Sequence, residues 1–220
     1  MITRFLITLN VLAFLWELYA GGPDVLGNFQ SARSQHVLLE AALIPVAVLQ
    51  YGQWWRIITG AFMHGGLLHI GVNMLSLWFL GRFIEYALGP WRMLIVYMVS
   101  LVVSGLGVVY FSDPQTPTLG ASGAIFGLFG ALFAIGLKLG KPGMQLVRAN
   151  IGILIVNLVI TFTVPAISWQ AHVAGLLAGF VLTFVIYAPP RRVAPVVVDS
   201  ASGRTLESEY ESPNDPHPSQ

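Results

Sequence analysis

Six long apolar runs constrain this chain more than anything else in it. They cover roughly Ile2–Ala20, Leu67–Leu88, Met93–Phe111, Ser122–Leu139, Leu146–Val164 and Ala171–Tyr187. Each is close to the ~17–25 residues that a helix needs to cross a hydrocarbon core of ~30 Å. Lipid offers no partner to a free backbone amide, so a spanning segment of this composition closes its hydrogen bonds within itself, as a helix. The rest of the chain leaves little room for a soluble core. Only 10% of its 220 residues are charged and 55% are hydrophobic, where a soluble domain carries about 25% charge. The expectation is an all-α membrane protein, a six-helix transmembrane bundle. The first run lacks the basic flank and small-residue cleavage site of a signal peptide and reads as a retained span.

Between the first two runs lies a long loop, Gly21 to Gly66, with shorter apolar pieces at Val37–Val48 and Tyr51–Phe62. Trp54 and Trp55 suit a membrane interface, where the ring is buried and the N–H stays wet. This loop is expected to form a compact, partly helical interfacial insertion. With the N-terminus inside, the inner segments carry Arg4, Arg82, Arg92, Lys138, Lys141, Arg148, Arg191, Arg192 and Arg204, and the outer ones only Arg33 and Arg56. That asymmetry predicts cytoplasmic termini. The expected membrane domain is residues 1–190. After Pro189-Pro190 the chain turns rich in Ser, Pro, Glu and Asp, and residues 191–220 are expected to form a disordered cytoplasmic tail.

A few polar side chains stand at the ends of these runs, where a membrane segment rarely carries them without a function. Ser122 lies in Gly120-Ala121-Ser122-Gly123, at the N-terminal end of its run. Sixteen residues separate it from Lys138, or ~24 Å of helix rise, less than the membrane core. If Lys138 marks the inner surface, Ser122 lies a few ångströms beneath the outer one, at a helix N-terminus whose unpaired amides favour developing negative charge. His172 begins the last run, with Gly175 and Gly179 on its face. Gly123, Gly127 and Gly130 form a matching stripe on the Ser122 helix. Pressing the two glycine faces together would bring imidazole to hydroxyl. His69 and Asn73, four residues apart, share a third helix face, with His64 just before them.

Other chemistries fit less well. Three histidines can hold zinc, but the chain has no His-Glu-x-x-His and no carboxylate beside them, so no metal or cofactor is expected. The chain has no cysteine, which excludes a thiol nucleophile, and its net charge of +1 gives no sign of nucleic-acid binding. No acidic residue is central to a span, against an aspartyl intramembrane protease. A transporter would be expected to show related halves, and no repeat is present.

From about Trp54 to Tyr187 these residues resemble the rhomboid intramembrane serine proteases of the bacterial six-span type. Trp55-Arg56, His64, His69-Ile70-Gly71-Val72-Asn73, Gly120-Ala121-Ser122-Gly123 and His172-x-x-Gly175-x-x-x-Gly179 carry the likeness, and Arg82 and Glu85 resemble a polar pair at the inner end of the second span. The resemblance implies Ser122 as nucleophile and His172 as general base. It implies an oxyanion and substrate-binding set of His69, Asn73 and the Ser122 amide, with His64, Gly120 and Phe126 beside them. It implies single-span transmembrane proteins as substrates, cut near the outer face of a bacterial plasma membrane, with small residues preferred before the cut. One position departs from the pattern: the family often has tyrosine where this chain has Phe126. Asp and Glu are absent between Asp113 and Asp199, which points to a Ser–His dyad rather than a triad.

Overall fold

The computed structural model describes residues 1–27, 29–163, 167–189, 197–198 and 205–206. It falls into two compact units, Met1–Tyr187 and Ala188–Gln220. The first is a helical bundle; beyond residues 188–189, the described part of the second is a two-residue antiparallel pair, Val197–Val198 against Thr205–Leu206. The tail expected over 191–220 otherwise lies outside the described residues.

The bundle opens with α1 (Ile2–Gly21). The loop that follows is largely helical: a 3₁₀ turn at Pro23–Leu26, then α2 (Ala32–Ala41), α3 (Pro45–Tyr51) and α4 (Arg56–Phe62). Next come α5 (Leu67–Ser76) and α6 (Arg82–Leu88), continuous through a π-helical turn at Leu77–Gly81. Then follow α7 (Pro90–Phe111), α8 (Ser122–Leu139), α9 (Lys141–Thr163) and α10 (Trp169–Ile186). Among the described residues, five helical stretches are long and apolar enough to cross a membrane: α1, Leu67–Leu88, α7, α8 and α10. The remaining expected run, Leu146–Val164, falls on α9, whose first turn, Lys141-Pro142-Gly143, lies outside the apolar pattern and adds length that hydrophobicity does not mark. Pro90 likewise starts α7 earlier than the apolar pattern does, since proline at the first helical position forfeits only an amide that has no helical partner.

The helix that carries Ser122 is the central one. Of α8's spanning window 72% is buried, against 28–50% for the other four. Its glycines explain how. A Cβ on Gly123 or Gly127 would strike Ser104 or Ser100 of α7, and one on Gly130 would strike the backbone of α10 at Leu176 and Phe180. From the other side, Cβ atoms on Gly175 and Gly179 of α10 would collide with the carbonyls of Gly123 and Gly127. Small residues thus let three backbones approach to contact, the dispersion-driven packing available to helices in lipid. The outward face of α10 is left to Leu177, Val181, Phe184 and Val185, all exposed, as lipid-facing residues are.

The interfacial loop is stitched by its own polar groups. Arg56 is buried, and its Nη1 donates to the carbonyls of Leu39 at 2.7 Å and Ala42 at 2.8 Å, tying α4 to the end of α2. Asp24 accepts from the Ser31 amide and, at 2.9 Å, from the Ser34 hydroxyl. Those bonds hold its carboxyl below the ordinary carboxylate range. Trp54 and Trp55 stay about half exposed, at 46% and 56%, in keeping with an interfacial position.

At the other end of the bundle, Arg82 and Glu85 form no ion pair with one another among the described residues. The Arg82 guanidinium lies over the Trp78 ring, 4.7 Å from its centroid. Glu85 turns to α1, accepting from the amides of Ile2 (2.7 Å) and Thr3 (3.0 Å) and from the Thr3 hydroxyl (2.7 Å). A carboxylate there satisfies orphan donors at a helix N-terminus.

Candidate active site

Ser122 opens α8 and His172 lies in the first turn of α10, so the glycine contact between these helices sets the distance between the two side chains. His172 Nε2 is 2.7 Å from Ser122 Oγ. The Phe126 ring, one helical turn on from Ser122, stacks face to face on the imidazole, with centroids 4.0 Å apart and planes inclined by 12°. The other ring nitrogen, Nδ1, lies 2.7 Å from the hydroxyl of Thr161 on α9. His172 is 6% exposed, so this pair is shielded from bulk solvent yet opens on a cavity of about 610 Å³. Ser122, Phe126, His172, Thr161, His69 and Asn73 all face that cavity.

The approach to Ser122 is held from two sides. Leu43 and Thr118 exchange backbone hydrogen bonds of 2.9 and 2.8 Å, and the Gly120 amide donates to Gly60 O at 2.9 Å. The interfacial loop therefore fixes the strand-like segment that leads into α8. Gly120 has φ +116°, in the region that favours glycine, and a Cβ there would come within 2.8 Å of the His69 ring. The turn needs glycine on both counts.

His69 and Asn73 stand across from this turn. The Gly65 amide donates to His69 Nδ1 at 3.1 Å, so in the neutral ring Nε2 bears the hydrogen. That nitrogen is on the Gly120 side of the ring, where an added Cβ would lie 2.9 Å from it. Asn73 Nδ2 donates one hydrogen to His69 O at 3.0 Å, and its second is available. Both donors, with the first-turn amides of α8, border one space beside the Ser122 hydroxyl.

His64 is fully buried behind His69 and does not line the cavity. Its ring meets His69 edge to face at 5.3 Å, and its Nδ1 lies 3.1 Å from Phe62 O. It braces the His69 ring. Glu17, on α1, is also fully buried, and both of its carboxylate oxygens accept from the His64 amide at 3.2 Å. Among the described residues no three side chains of histidine, aspartate or glutamate converge as a metal site would require.

Two members of this arrangement are not apparent from the sequence pattern. Thr161 is one hydroxyl in a run that also holds Thr163, and nothing local distinguishes it. Glu17 sits near the end of its span and gives no hint of its partner, forty-seven residues away.

Ser122 and His172 thus meet in a bundle of membrane-length helices, and the match to a known family says which one the chain belongs to. The Rhomboid domain matches residues 51–189, so the chain is an integral multi-pass membrane protein of the rhomboid family. It is similar to "Rhomboid protease GluP" of Bacillus subtilis (strain 168), 36% identical over 135 residues that cover 61% of this chain and 26% of that one. "Putative rhomboid protease YdcA" of the same organism is 35% identical over 136 residues, covering 61% of this chain and 68% of that one. "Rhomboid protease GlpG" of Yersinia pestis (strain Pestoides F) is 33% identical over 138 residues, covering 61% and 49%. The chain thus spans about a quarter of the first of these relatives and about half of the third.

Proposed function

We propose that this chain is an intramembrane serine endopeptidase that cleaves single-span transmembrane proteins near the outer membrane face. The observation that carries the reading is the 2.7 Å contact between Ser122 Oγ and His172 Nε2 on the wall of a cavity within a lipid-embedded bundle. The relatives named as proteases support it. Ser122 is the nucleophile and His172 the base. As Oγ attacks the substrate carbonyl carbon, its proton passes to Nε2, and a tetrahedral oxyanion forms. Donors from His69, Asn73 and the Ser122 amide meet that charge. Collapse breaks the C–N bond, the leaving amine takes the proton from Nε2, and an acyl-enzyme remains. Water, deprotonated by the same nitrogen, then releases the acid.

Among the described residues no carboxylate faces His172. Asp113 is engaged with the Gln115 amide at 2.9 Å, Glu85 with α1, and Glu17 with His64. The pair acts as a dyad, with Phe126 supporting the ring. Six spans are proposed, α9 being the fifth in chain order, with the termini and the 191–220 tail cytoplasmic. The charge asymmetry supports that orientation.

The test uses detergent-purified protein and a single-span model substrate. Ser122→Ala and His172→Ala should each abolish cleavage, and the double variant should be no worse than either, because the groups act as a unit. A serine-directed fluorophosphonate should block the native enzyme and should not label Ser122→Ala. Cleavage that survives Ser122→Ala would overturn the reading.

A further inference from the structure

The proposed mechanism needs His172 in one tautomer, and nothing in it so far explains how that form is held. In a neutral imidazole one nitrogen donates and the other accepts. Nε2 can take the Ser122 proton only if the ring hydrogen is on Nδ1. In a triad enzyme a buried carboxylate draws it there; among the described residues this site has none.

Thr161 occupies that place. Its side chain is 3% exposed. Its Oγ1 is 2.6 Å from Asn157 O, one turn back on α9, and 2.7 Å from His172 Nδ1. A hydroxyl has one hydrogen, and a carbonyl oxygen can only accept. The Thr161 hydrogen therefore goes to Asn157 O. That leaves Oγ1 as an acceptor toward the ring, so Nδ1 must be the donor. A directed chain results: Ser122 O–H to Nε2, Nδ1–H to Thr161 Oγ1, Thr161 O–H to the Asn157 carbonyl.

Resting on the protease reading, we propose that Thr161 is the positioning residue that fixes the His172 tautomer and supports the imidazolium formed during catalysis. When Nε2 takes the serine proton the ring becomes cationic, and the Nδ1–H bond turns from a neutral to a charge-assisted one. Its polarised acceptor is backed by the carbonyl dipole of Asn157. Thr161 does not touch the reacting atoms. It acts through His172, together with the Phe126 ring: the stack fixes the plane of the imidazole, and the hydroxyl fixes which of its nitrogens carries hydrogen. Because the bond strengthens only as charge develops, its loss falls on kcat and not on KM.

Thr161→Val keeps the shape and removes the hydroxyl; Thr161→Ser keeps the hydroxyl and removes a methyl group. With the single-span substrate, Thr161→Val should lower kcat by roughly ten- to a hundred-fold, the range for losing a hydrogen bond to a charged partner, with KM within about two-fold of native. Thr161→Ser should recover most of the rate. The second measurement needs no turnover. In protein carrying ring-¹⁵N histidine, with the His172 signals assigned by their loss in His172→Gln, native enzyme should show protonated Nδ1 and bare Nε2. Thr161→Val should show a mixture of both tautomers, and Thr161→Ser the native form. A Thr161→Val variant with native kcat, or with an unchanged tautomer, overturns the proposal. So does a Thr161→Ser variant as slow as Thr161→Val with KM raised in both, the pattern of a packing defect. If the native protein cleaves nothing, the protease reading fails by itself, and the nitrogen spectra still decide whether Thr161 sets the tautomer.

Discussion

Gly175→Ala is a change of one methyl group that should act on chemistry through packing alone. Gly175 of α10 faces the Gly123 carbonyl of α8, one residue past Ser122. An alanine Cβ at this position would lie 2.9 Å from the Gly123 carbonyl carbon, with the oxygen closer still. Restoring an ordinary 3.4 Å contact to the carbon alone takes 3.4 − 2.9 = 0.5 Å. Relieving the oxygen brings the separation of the two helices to roughly 1 Å, because both partners are backbone and cannot rotate away. The 2.7 Å contact between Ser122 and His172 then stretches past the ~3.2 Å limit of a good hydrogen bond. Overpacking of this kind costs about 1–3 kcal/mol of stability, whereas a misplacement of ~1 Å at the reacting groups costs about a hundred-fold in rate. The expected outcome is a protein that still folds in detergent, with a modestly lowered melting temperature. Its kcat, and its rate of fluorophosphonate labelling, should fall about a hundred-fold. Gly152→Ala, on α9 where a Cβ meets nothing within 4 Å, is the control and should leave both rates unchanged. If Gly175→Ala labels at the native rate, the glycine contact does not set the Ser122–His172 distance and the packing argument fails.

Two further predictions follow from the site and its surroundings. Phe126→Ala should cost more activity than Phe126→Tyr, because only alanine removes the ring stacked 4.0 Å from the imidazole; equal and negligible effects in the cleavage assay would remove Phe126 from the site. For orientation, an alkaline phosphatase reporter, active only outside, should be active when fused after Pro114 and silent after Arg192, and the opposite pattern would invert the proposed topology.

Much of the fold is legible in the linear pattern, because the membrane makes backbone hydrogen bonding nearly independent of tertiary context. A run of about twenty apolar residues has one low-energy form in lipid. Leu67–Leu88 and Ser122–Leu139 therefore end where hydrophobicity ends. The start of α9 does not, since Lys141-Pro142-Gly143 begins the helix ahead of its apolar run. The glycine faces were also legible: residues spaced at helical intervals share a face whatever the neighbour, and small residues on two helices favour close approach. That spacing was enough to bring Ser122 and His172 together as an expectation.

What the one-dimensional pattern could not supply were the partners whose identity depends on how helices rotate and cross. Arg82 and Glu85 sit three residues apart and look like a pair. Glu85 instead meets the amides of Ile2 and Thr3, and Arg82 turns to Trp78. His64 shares a motif with His69 but is fully buried, behind His69 and away from the cavity. Glu17 reads as a terminal charge of its span, yet it is fully buried on the His64 amide. Thr161 is one hydroxyl among apolar neighbours until α9 packs beside α10. Local spacing determines which side chains share a helix face. The rotation of that face about its own axis is set by the summed packing of every helix around it, and a polar partner dozens of residues away is chosen only when those rotations are complete.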